Sequence, residues 1–121
     1  QIELSPLKLD ALFDGSLEQC QQQRVSPMLW SCLGGGRLFS ELSKPADELR
    51  QTLAMIADQV GGASLEQVVY AWLLQLPSNP LPIIGSGKFE RIEAALDSMR
   101  IRLDRQQWFS ILEAARGSRV A

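Results

Sequence analysis

The stretch "LPIIGSGKFERIEAAL", Leu81 to Leu96, decides how the chain folds. Leu81 to Gly85 is an apolar strand, and Lys88 to about Met99 is a helix whose spacing turns Ile92, Ala95, Leu96 and Met99 inward. A buried strand feeding a helix through a short glycine turn is the βα unit of a parallel sheet. The turn, Gly85-Ser86-Gly87, delivers Lys88 and Arg91 to the helix start. Unpaired backbone N–H groups and a partial positive charge make such a place suited to an anion, above all a phosphate. Gly-Ser-Gly is equally an ordinary turn, and cations in a first turn are often merely solvated. The phosphate loop of nucleoside triphosphatases is excluded, since Pro82 and Phe89 stand where it needs Gly and Ser or Thr.

The same alternation extends to both sides. Gln1 to Leu4 reads as a strand, followed by a helix from a capping box at Ser16 to Gln19 through about Arg24. Pro27 to Ser31, "PMLWS", is a second strand, running into "CLGGGRLF", where three glycines allow the backbone to approach a ligand closely. Leu49, Leu53, Ile56 and Val60 mark an amphipathic helix from about Ala46 to Val60, stopped by Gly61-Gly62. A capping box at Ser64 to Gln67 opens the helix "VVYAWLLQL", apolar nearly all round and so expected to pack on more than one side. Tyr70 within it reads as a packing residue. Asp104 starts a last helix with Trp108, Ile111, Leu112 and Ala115 on one face. Three apolar parallel strands need cover on both faces and leave two open edges, so part of a larger sheet is expected.

With 121 residues, 45% of them hydrophobic and 21% charged, the chain suits one globular domain. A net charge of −2 argues against general nucleic-acid binding, which requires a basic face. Cys20 and Cys32 lack metal-ligand spacing, and the absence of His removes the commonest zinc ligand and general base. A reducing cytoplasm is the expected compartment. No apolar run reaches the ~20 residues of a membrane helix. The initial Gln rather than Met suggests a processed or excerpted chain.

Taken together, "QIELSPL", "LWSCLGGGRLF", "SLEQVVYAWLLQLPSNPLPIIGSGKFERIEAAL" and "IRLDRQQWFSILEAARG" resemble, in this order and spacing, the C-terminal part of the aldo-keto reductases, bacterial members especially. The resemblance implies an α/β fold: the sixth to eighth strands and their helices of a (β/α)8 barrel that typically needs ~250 residues. It makes residues 1–121 the cofactor-binding portion of one such domain, with the N-terminal half of the same barrel as its partner. Gln1 then falls where the family bonds the nicotinamide carboxamide, and Trp30 where an aromatic stacks on the nicotinamide. Trp30 is otherwise a core aromatic. Ser31, Leu33, Gly34, Gly35 and Gly36 correspond to the segment along the pyrophosphate. Gly85, Ser86, Gly87, Lys88 and Arg91 correspond to the segment that holds the adenosine 2′-phosphate of NADPH.

Some positions depart from the family. Its Glu-Asn pair that recognises adenine falls on Ala94 and Ala95, and Cys32 stands where Pro is usual. The tetrad Tyr, Lys, Asp and His come from strands upstream of Gln1, so no catalytic residue is assigned in this chain. The reading is the NADPH-binding half of a cytoplasmic enzyme that reduces small aldehydes or ketones, without nucleic acid or membrane as partner. The other reading is a non-catalytic nucleotide-binding half-barrel that regulates a partner. No acidic residue poised for a ribose diol is apparent beside the two cations, so NADPH is expected to bind more tightly than NADH. Phe13 and Phe39, in the loops Pro6 to Gly15 and Cys32 to Pro45, are candidates for the substrate mouth.

Overall fold

The computed structural model describes residues 1–117. Three short parallel strands, β1 (Ile2–Glu3), β2 (Met28–Trp30) and β3 (Leu81–Pro82), form one sheet in the order β1-β2-β3. Ile2 pairs with Leu29 and Glu3 with Trp30, while Met28 pairs with Leu81 and Leu29 with Pro82. All three are shorter than the apolar runs suggest. Ser31 turns β2 out of the sheet by adopting φ +57°, and β3 keeps only the Ile83 N–H to Leu29 C=O bond, 2.8 Å, past its end.

Among the described residues, seven α-helices accompany the strands: α1 (Asp10–Phe13), α2 (Ser16–Gln22), α3 (Arg37–Ser40), α4 (Lys44–Gln59), α5 (Leu65–Leu74), α6 (Phe89–Asp97) and α7 (Arg105–Arg116). Their ends follow local chemistry. Ser43 caps α4 by accepting from Ala46 N–H, and Gly61 and Gly62 end it with φ near +100° and +92°. Full capping boxes open α5, Ser64 with Gln67, and α7, Asp104 with Gln107, each contributing roughly 1 kcal/mol. The box expected at Ser16 does not form. Gly15, at φ +88°, occupies the cap, and the Asp14 carboxylate accepts from Ser16 N–H at 2.8 Å. The Ser16 side chain first, and this backbone contact second, lower the Asp14 pKa.

The core lies under one face of the sheet. α5 buries six consecutive residues, Val68 to Leu73, which agrees with its all-round apolar sequence. α4 packs on both α5 and α7, and Trp72 and Trp108 fasten the last two. Their rings stack at 5.1 Å, and each indole N–H donates to the other's backbone carbonyl, at 3.0 and 2.9 Å. Gln75 clamps the Leu103 backbone, donating from Nε2 and accepting at Oε1.

The other sheet face is open. Leu4 and Leu29 are fully buried, whereas Met28, Trp30, Leu81 and Ile83, which alternate with them, remain 39–56% exposed. Cover on both faces, which apolar strands demand, is therefore met on one face only. On α6 the expected inward set divides. Ala95 is buried and Ile92 partly so, while Leu96 and Met99 are exposed at 58% and 70%; at the following 3-10 turn Ser98 points inward and takes the place the spacing gave to Met99.

Candidate functional site

Two loops leave the C-terminal ends of neighbouring strands and face each other across a cleft of about 380 Å3. The first begins at Ser31. Its left-handed backbone is uncommon for a residue with a side chain, and it precedes three glycines at φ +67°, +66° and +89°. Only Gly tolerates that succession without strain. A Cβ on Gly34 would meet Leu7 Cδ1 at 2.9 Å, whereas on Gly36 it would meet nothing within 4 Å. The conformation, more than crowding, demands glycine at Gly36, and the exposed backbone there is open to a ligand.

The second loop carries Gly85, Ser86 and Gly87 from β3 to α6. Ser86 Oγ accepts from the Lys88 backbone N–H at 3.1 Å, which leaves its own proton free to donate outward. Lys88 is the N-cap of α6 and Arg91 its third residue. Among the described residues, neither side chain makes a hydrogen bond or an ion pair. Two unengaged cations thus stand at the start of a nine-residue helix, an arrangement that attracts an anion.

Of the residues singled out from sequence, Ser31, Leu33, Gly35 and Gly36 from the first loop and Gly85, Ser86 and Arg91 from the second line this one cleft. Gln1, Trp30, Gly34, Gly87 and Lys88 lie outside its lining. Gln1 is exposed at the chain start. Trp30 ends β2 at 44% exposure and is not a core aromatic. Phe39 lines the cleft, but Phe13 does not: it lies under the Arg116 guanidinium, 5.2 Å from its ring centre, beside a separate groove with Leu17 and Leu112.

Three further side chains enter the cleft that their sequence positions did not announce. Cys32 is buried, its thiol bonds weakly to the Leu29 carbonyl at 3.5 Å, and burial pushes its pKa up to about 11. It is an inert thiol at neutral pH. Tyr70, read as a packing residue, is only 5% exposed yet lines the cleft. Burial chiefly raises its phenol to about 12, Cys32 and Glu66 push the same way, and Arg91 opposes them. Glu66 corrects the expectation that no acidic group stands near the cations, since it shares the cleft with Ser86 and Arg91. α5 brings both Glu66 and Tyr70 there, held against α6 by the Gln67 amide, which donates to the Ala94 carbonyl at 3.0 Å.

Comparison with known proteins gives the family of the chain. The chain is 55% identical over 117 residues to the oxidoreductase YdhF of Escherichia coli, covering 97% of the chain and 39% of that protein. It is 38% identical over 120 residues to a 6-dehydroglucose reductase of Novosphingobium aromaticivorans, covering 99% of the chain and again 39% of the relative. The chain therefore spans well under half the length of the relatives it matches. The structure superposes on a thermostable aldo-keto reductase solved with the inhibitor epalrestat, with a TM-score of 0.77 and 27% identity over 93% of this chain and 38% of that one. Residues 1–116 match the Aldo/keto reductase family, and the chain belongs to that family.

Proposed function

We propose that residues 1–121 are the cofactor-binding portion of an NADPH-dependent aldo-keto reductase of the cytoplasm, forming the sixth to eighth strands of a (β/α)8 barrel. The complete protein reduces small aldehydes or ketones. The observation that carries this reading is the shared cleft of the two strand-end loops, with glycine backbone on one side and Ser86 and Arg91 on the other. Strand C-terminal ends are where barrels of this type place ligands.

The residues suit the cofactor. The left-handed glycines offer backbone N–H groups without intervening side chains, apt for a pyrophosphate. Ser86 has a free hydroxyl proton for a phosphate oxygen, Arg91 a planar fork, and Lys88 a mobile point charge close by. The exposed ring of Trp30 presents a flat face to the nicotinamide, and the Gln1 amide pairs with its carboxamide. When bound, the nicotinamide supplies hydride to the carbonyl carbon. This chain's own part is to bind and orient. It has no His, and burial pushes the Tyr70 phenol up to about 12, which makes it a weak acid, so the proton donor belongs to the remaining strands.

The test is cofactor binding by the full-length protein. Each charge-assisted contact contributes roughly 1.5–3 kcal/mol, so Arg91→Ala is expected to weaken NADPH about tenfold or more while sparing NADH. Equal losses for the two cofactors in a fluorescence titration would remove Arg91 from the 2′-phosphate site.

A further inference from the structure

The cleft holds a carboxylate and a phenol that the phosphate-binding groups do not use. Glu66 and Tyr70 are four positions apart on α5 and so share one helix face, and both line the cleft together with Ser86 and Arg91. The ring of Tyr70 is buried, while its hydroxyl stays accessible and makes no hydrogen bond among the described residues. Glu66 is half-buried, and its carboxylate makes neither a hydrogen bond nor an ion pair there, not even with Arg91 in the same cleft. Neither group is sealed from solvent, since Ser78 Oγ is the only buried side-chain polar atom without a partner among the described residues, so both are open to a ligand that enters the cleft.

Their chemistry narrows that ligand. A carboxylate only accepts hydrogen bonds, and a phenol with its pKa pushed up to about 12 donates one. A vicinal diol satisfies both, giving one hydroxyl proton to Glu66 and accepting from Tyr70. A phosphate on the same carbon meets like charge at Glu66 and finds its partners in Arg91 and Ser86 instead. The cleft is thus furnished for both forms of an adenosine ribose, the free diol and the 2′-phosphate.

We propose that Glu66 and Tyr70 form a ribose-diol subsite in the cofactor cleft, and that Glu66 sets the balance between NADH and NADPH. This rests on the reading of the cleft as a nicotinamide dinucleotide site. Arg91 and Ser86 favour the phosphorylated cofactor, and Glu66 offsets part of that preference by taking the diol of the other.

Titration of the full-length protein and its Glu66→Gln and Tyr70→Phe variants with NADPH and with NADH tests this. Glu66→Gln is expected to tighten NADPH and weaken NADH, each by about threefold, so that their affinity ratio moves about tenfold, the change that one charge contact carries. Tyr70→Phe keeps the buried ring and is expected to weaken NADH severalfold with a smaller effect on NADPH. Ratios within twofold of wild type in both variants, with both cofactors still bound, would overturn the subsite and leave the cofactor reading standing. Binding of neither cofactor by the wild-type protein would overturn both together.

Discussion

Trp30, Trp72 and Trp108 are the same residue type in three different circumstances. Trp72 and Trp108 lock α5 to α7 by stacking and reciprocal hydrogen bonds, while Trp30 stands half-exposed at the end of β2. In the full-length protein, cofactor binding is therefore expected to quench Trp30 emission selectively. Trp30→Phe should remove most of the quenching with Trp72 and Trp108 left as internal references. Undiminished quenching in that variant would place the nicotinamide elsewhere. At this scale the sequence exposed the residues at strand ends, because an apolar run that stops at a glycine cluster marks a loop in any fold. It hid Glu66, which precedes Ser86 by a helix and a strand. Glu66 is carried to the cleft by α5, which packs on α4 and α6 and is tied to the Ala94 carbonyl by Gln67, tertiary contacts without a local signature.

The elements divide in the same way. Helices α4, α5 and α7 were legible because each has a capping residue at its start and a regular apolar spacing, and α5 and α7 close their caps as capping boxes. The similar pattern at Ser16 failed because Gly15 and Asp14 made a competing cap one residue earlier. Met99 was read as inward from spacing that holds only while α6 stays regular, and α6 gives way to a 3-10 turn at Ser98; Leu96 lies within the regular helix and is exposed all the same. The glycine loop carries a prediction of its own. Gly34→Ala forces a side chain into φ +67° and against Leu7 Cδ1, and the left-handed conformation alone costs about 1–2 kcal/mol. The full-length protein should lose at least that much stability in a urea titration. Gly36→Ala, strained in backbone but free of contacts, should lose less. No loss at Gly34 would mean the loop follows another path.

For the whole molecule, the deciding feature is a sheet finished on one side. Leu4 and Leu29 face a complete core, but Met28, Trp30, Leu81 and Ile83 present an apolar surface on the opposite face, and β1 and β3 each have a free edge. Apolar patches and open edges of this kind invite association. A closed barrel removes both at once, since its strands have no edge and the bare face becomes a packed interior. The parallel order was legible from the alternation of strands and helices, and the apolar strands carried the expectation of a larger sheet. The short extent of the strands was not, because an apolar run does not reveal where the backbone leaves the sheet, as β2 does at the left-handed Ser31. The most direct measurement of the central claim is the solution mass and thermal melt of residues 1–121 prepared alone and together with the preceding part of the protein. The account predicts that the isolated segment aggregates or self-associates without a cooperative melt, and that the two parts together give a one-to-one complex that melts cooperatively and binds NADPH. A monomeric 121-residue species with a sharp, cooperative melt and no partner would contradict it.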